Sequence, residues 1–228
     1  MRCSQIVAHL KSLANPANVA GMARYGISAE GTLGVSIPAL RGIAKEHRCE
    51  HALAVELWET GIHEARILAA LVDDSAEVTE AQMESWVRDI DSWDVCDGLM
   101  NNLFRKVPSA WAKSREWARR KETFVRRAGF VLMATLAMHD KRAPDAKFLA
   151  LLPIIRRGAT DERNFVKKAV NWALRQIGKR NLALNASAVA AAREIAVLDS
   201  RSARWVASDA LRELTSPAVL KRLDRKGA

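Results

Sequence analysis

The sequence predicts an all-α fold, a solenoid of paired antiparallel helices, on three observations. Apolar residues recur at i, i+3, i+4 and i+7 almost throughout, as Ile6, Val7, Leu10 and Leu13 do at the start. No stretch alternates with period two over the length of a strand. About a dozen such segments follow one another over short links, roughly two per 35 to 45 residues, which suits stacked helix pairs better than a four-helix bundle. A curved stack of that kind has a concave face.

Taken in order, Asn15-Pro16 breaks the first segment, a short helix runs through Met22 to Tyr25, and a Gly-rich link covers Gly26 to Gly34. Ser36 and Pro38 open the next helix, because proline's missing N–H costs nothing in a first turn. Leu53 to Trp58 and Ile62 to Val72 pair across Gly61. Thr79 and Gln82 form a capping-box signature before Met83 to Ile90. Asp91 or Ser92 caps the helix that begins at Trp93. Segments at Trp111 to Arg119, Phe124 to Met138 and Ala146 to Ile155 come next, and Thr160, Asp161 and Glu162 start Phe165 to Lys179. Ser187 to Val197, Arg204 to Leu214 and a short helix opened by Ser216-Pro217 close the chain. With no linker composition anywhere, residues 1–228 read as one domain.

Composition narrows the function. No window is apolar enough for a membrane span and the start is unlike a signal peptide, so a soluble, cytoplasmic protein is expected. Cys3, Cys49 and Cys96 lack CxxC spacing and the five histidines are scattered, so reduced thiols and no structural metal are expected. Residues 1–104 hold 8 Lys and Arg against 15 Asp and Glu, a net of −7, whereas residues 105–228 hold 28 against 11, a net of +17. Such segregation suits a surface for a polyanion, nucleic acid first, although a basic surface kept for solubility has the same composition. On a concave face it could lie along a duplex.

Two constellations stand out. In Trp93-Asp94-Val95-Cys96-Asp97, Trp93 and Asp97 are four residues apart and share a helix face, while Asp94 points elsewhere. An exposed aromatic plane beside a carboxylate can hold a cation and stabilise developing positive charge; the plainer reading is a core tryptophan and a solvated acid. Further on, Val166, Ala169, Val170, Ala173, Leu174 and Ile177 form a core stripe, and Phe165, Lys168, Trp172 and Arg175 lie together on another side. Cations beside rings suit phosphates and nucleosides, and they also suit rings covered by neighbouring helices with the cations snorkelling outward. Arg126 and Arg127 sit at the head of a helix, where the dipole disfavours cations, so an anion, either a phosphate or Asp97, is expected nearby.

At these residues the chain resembles the AlkD-like family of DNA alkylation repair glycosylases. The resemblance rests on Met22-Ala23-Arg24-Tyr25, Gly61-Ile62-His63-Glu64-Ala65-Arg66-Ile67-Leu68, Trp93 to Asp97, Val125-Arg126-Arg127-Ala128 and the Phe165 to Arg175 set, in the family's order. It implies a right-handed solenoid of HEAT-like repeats with a basic concave face, and excision of N3- or N7-alkylated purines from duplex DNA without metal or cofactor. It also implies roles. Asp97 matches the essential acid, Trp93 and Trp172 the aromatic walls around the damaged nucleotide, and Arg127 the phosphate-contacting arginine, with Arg126 beside it. Tyr25 and Phe165 match further cleft members, and Asn164 stands where the family often has an aromatic. Lys168 and Arg175 would complete the DNA contacts of a monomer associated with the nucleoid. Two other functions fit the same residues: a non-catalytic HEAT-like module binding damaged or branched DNA, and a helical scaffold for an acidic protein.

Overall fold

The computed structural model describes residues 2–227, without the side chains of 226 and 227. Among the described residues there are fifteen α-helices, one 3-10 turn and no strand. Two compact units divide the chain, Met1–Pro108 and Ser109–Ala228.

The first unit holds α1 (Cys3–Ser12), α2 (Pro16–Ala23), α3 (Ile37–Glu46), α4 (His51–Glu59), α5 (His63–Val72), α6 (Glu80–Arg88), α7 (Trp93–Asn102) and a turn at Phe104–Lys106. Helix α5 is its centre. Eight of its ten residues are buried, and it packs on α3, α4 and α7, which cover Ile67 to Ala70 and Val72. Trp58 of α4 and Trp86 of α6 stack in this core with ring centroids 4.3 Å apart.

Local chemistry places most helix starts where the sequence does. Asn15 accepts from the N–H groups of Ala17 and Asn18, and Ser36 Oγ accepts from Ala39 N–H. Thr79 caps α6 in the same way, but Gln82 turns away to donate to Asp73 Oδ2 at 2.8 Å, so only half of the expected capping box forms. Ser92 is the N-cap of α7 by backbone conformation, without a side-chain cap bond. The short helix ends at Ala23, leaving Tyr25 in the turn after it, 72 % exposed.

The second unit comprises α8 (Ala110–Trp117), α9 (Thr123–His139), α10 (Asp145–Leu149), α11 (Leu152–Gly158), α12 (Asn164–Gly178), α13 (Leu182–Ala196), α14 (Arg201–Leu214) and α15 (Pro217–Gly227). Here α9 is central, buried from Arg127 to Ala137 and packed on α8 and α12. Gly129 makes this possible, because a Cβ there would collide with the backbone of Ala118. The single helix expected from Ala146 to Ile155 is two, since Pro153 lacks an N–H and fits only the first turn of a new helix. Asp161 and Glu162 precede α12 instead of forming its first turn. Glu162 Oε1 accepts from Ser200 Oγ and Ser202 N–H at the head of α14.

Candidate active-site cleft

Within the first unit, α2, the Gly26 to Gly34 link, α5 and α7 surround a cleft of about 670 Å³. Trp93 and Asp97 line it one turn apart, as their spacing requires, and both are half-buried. Trp93 is not a core anchor. Its Nε1 donates to the carbonyl of Tyr25 at 3.2 Å, fixing the exposed Tyr25 turn at the rim of the same cleft. The structure thus brings Tyr25, Trp93 and Asp97 together.

Asp94 lines the cleft too, where the sequence reading had it point elsewhere. One residue round the helix from Trp93, it reaches α5 and bonds His63 Nε2 at 2.9 Å through Oδ2, while Oδ1 accepts the Val95 N–H at 3.0 Å, one of the unbonded groups of α7's first turn. Burial pulls His63 toward neutrality. The Asp94 hydrogen bond and charge, with Glu64 and Asp91 nearby, outweigh burial and raise its pKa. Asp94 is pushed up by burial, but the bond and charge of His63 with contacts from Ser92 and Val95 leave it lowered. Each partner thus favours the charged form of the other.

Beside it, Glu64 is 1 % exposed and accepts N–H groups of Leu33, Gly34 and Val35 at 2.8, 2.6 and 3.3 Å. Three backbone donors satisfy this buried charge and hold the glycine-rich link as the cleft wall. Gly34, at φ +77°, has no room for a Cβ against Asn15. His63, Glu64 and Asp94 are the site residues that sequence reasoning missed. For His63 and Glu64 the signal is their place in the Gly61 to Leu68 motif, two polar residues that open a largely apolar helix.

In the second unit Phe165, Lys168, Trp172 and Arg175 do share the side of α12 away from its core stripe, in differing states. Lys168 is exposed. Phe165 is half-buried against Phe124, ring centroids 5.4 Å apart. Trp172 is half-buried, and Gln176, with its amide oriented to suit both neighbours, accepts from its Nε1 at 2.9 Å. Arg175 bonds Glu213 at 2.7 Å and lies 3.5 Å from Asp209, both on α14.

The anion at the head of α9 is Asp161, which pairs with Arg126 at 3.2 Å and with Arg163 at 2.6 Å. Burial raises the Asp161 carboxyl, but Arg163 and Arg126 bring it below its ordinary range. Arg127 is 5 % exposed and its Nη1 donates to the Phe165 carbonyl at 2.6 Å, tying α9 to α12.

A solved structure described as a new family of proteins related to the HEAT-like repeat DNA glycosylases with affinity for branched DNA structures shares this fold. The TM-score is 0.78 at 18 % identity, covering 93 % of this chain and 95 % of that one. No curated protein sequence matches the chain. The model of the DNA alkylation repair enzyme family matches residues 6–214, nearly the whole length. The chain belongs to the DNA alkylation repair enzyme family.

Proposed function

We propose that the protein is a monofunctional DNA glycosylase that hydrolyses the N-glycosidic bond of N3- or N7-alkylated purines in duplex DNA, acting as a monomer. One observation carries the reading: Asp97 stands one turn below Trp93 in a half-open cleft, beside Asp94, whose carboxylate is already engaged by His63. Alkylation at N3 or N7 makes the base a cationic leaving group, so no general acid is needed. What remains is positive charge on the sugar as the bond breaks, an oxocarbenium-like state. A fixed carboxylate in a partly dry cleft stabilises that charge and can orient the attacking water. The Trp93 indole attracts the cationic nucleotide, by about 0.5–2 kcal/mol. Trp172 is assigned a like attraction, and Tyr25, Arg126, Phe165, Lys168 and Arg175 contacts to the duplex. Arg127 holds Phe165 in place.

The test is release of free methylated base from methyl-treated duplex DNA by the wild type and by Asp97→Asn. The variant should lose about 10²- to 10³-fold in rate, on the scale of removing one electrostatic stabiliser, with duplex binding kept. Full activity in the variant would sink the mechanism. A second reading, a non-catalytic module for branched DNA, is favoured by the fold shared with the proteins described as having that affinity. It expects no release from either protein and tight, salt-sensitive binding of branched DNA.

A further inference from the structure

Of the seven tryptophans, all among the described residues, six are buried or half-buried, and Trp205 on α14 is exposed, at 42 %. Around it α14 presents a polar stripe at helical spacing, Arg201, Arg204, Trp205, Ser208 and Arg212, all exposed. From the adjacent α12, Lys167 Nζ lies 5.4 Å from the Trp205 ring centroid, and the exposed Lys168 follows it. The carboxylates of this region are partly engaged: Glu162 holds the head of α14, Asp209 pairs with Arg212 and Arg175, and Asp199 lies 3.5 Å from Arg204.

We infer that Trp205, flanked by Lys167, Arg201 and Arg204, is a stacking platform for an unpaired nucleotide of DNA, apart from the cleft lined by Trp93 and Asp97. An indole 42 % exposed still leaves apolar surface in water, and a π face among cations suits a nucleobase whose phosphates those cations neutralise. The occupant is unpaired because bases inside a duplex already cover each other's faces; a flap, a gap or a strand end offers a free one. The stripe from Arg201 to Arg212 extends about 16 Å at 1.5 Å per residue, enough to follow several phosphates of one strand. The platform supplies affinity for DNA that departs from the regular duplex. It rests on DNA being the partner and not on base excision.

The experiment is fluorescence anisotropy with three labelled probes: a single-stranded oligonucleotide, a duplex carrying a single-stranded flap, and the blunt duplex of the same sequence. For Trp205→Ala, affinity for the strand and the flap should fall about tenfold, the scale of losing one stacked base, with the blunt duplex within twofold of wild type. Trp205→Phe should keep most of the affinity, and circular dichroism melting of both variants should match wild type. Unchanged flap binding by Trp205→Ala would overturn the platform, as would an equal loss on all three probes, which is the mark of a general phosphate surface. Failure of the wild type to bind any probe, with an acidic protein bound instead, would overturn the DNA partner itself. Base release by Trp205→Ala at the wild-type rate, measured alongside, keeps a failed platform distinct from a failed glycosylase.

Discussion

The two units use charge in opposite ways. Residues 1–108 hold 10 Lys and Arg against 15 Asp and Glu, and residues 109–228 hold 26 against 11. In the acidic unit several carboxylates point inward as struts: Glu64 holds the glycine-rich link, Asp73 meets His51 and Gln82, and Asp94 meets His63. In the basic unit guanidiniums do the same work. Arg127 bonds the Phe165 carbonyl, Arg163 the Lys121 carbonyl and Arg180 the Ala137 carbonyl. Net charge therefore overstates what either unit offers to a partner. What counts is the cations still facing solvent, such as Lys168, and the cleft carboxylate set one turn from a tryptophan.

If the acidic unit relies on inward carboxylates, the largest effect should come from removing Glu64. Glu64→Ala orphans the N–H groups of Leu33, Gly34 and Val35 together, two of them in bonds of 2.8 Å or less. Hydrogen bonds to a buried charge contribute about 1.5–3 kcal/mol each, and they are not additive, so a loss of about 3 kcal/mol is expected in urea unfolding. A loss below about 1 kcal/mol would mean that the link is held by its glycines and packing alone. Base release should fall with it, because the link is a wall of the Trp93 cleft.

The His63–Asp94 pair sharpens the contrast by pH. His63 has a raised pKa in the folded chain, so its contribution is fully present below the ordinary histidine value of 6.5 and is lost as pH rises through the folded value. Asp94 is lowered, so its contribution is present above the ordinary 3.8 and lost as pH falls through its folded value. Together they stabilise the first unit most between about pH 4 and 6.5. Melting followed against pH should show that plateau in the wild type and a flatter profile in Asp94→Asn. A profile unchanged by the substitution would mean that the two groups do not exchange charge.

How much of this was readable in the residues depended on range. The core stripe of α12 follows from period 3.6 alone, and Val166, Ala169, Val170, Ala173, Leu174 and Ile177 are all buried. Trp93 and Asp97 share a cleft because four residues on a helix make one turn. The misses are long-range. Arg126 finds Asp161, Trp93 finds the Tyr25 carbonyl and Glu64 finds the 33–35 link, partners that no local period specifies. The burial of Arg127 has another reason: an arginine can be buried where its guanidinium meets a carbonyl, and sequence does not show the carbonyl. Asp94 was set aside because i and i+1 diverge on a helix, an argument that weakens where a histidine on the next helix reaches for the side chain.

The smallest expected effect separates Lys168 from Arg175, two of the three cations of α12. Lys168 is exposed, whereas Arg175 is held by Glu213, which also takes Lys179 at 2.7 Å. A cation contacting phosphate contributes about one unit to the salt dependence of DNA binding, so Lys168→Ala should lower that slope by about one with folding unchanged. Arg175 already neutralises a carboxylate, and an ion pair of this exposure contributes only about 0.5 kcal/mol. Its removal should change the slope by less than half a unit and take that small amount from stability. The measurement is affinity for one duplex across a range of salt. A steeper loss of slope for Arg175→Ala than for Lys168→Ala would mean that Arg175 leaves Glu213 when DNA arrives, and that internal pairing does not remove a cation from the DNA-facing charge.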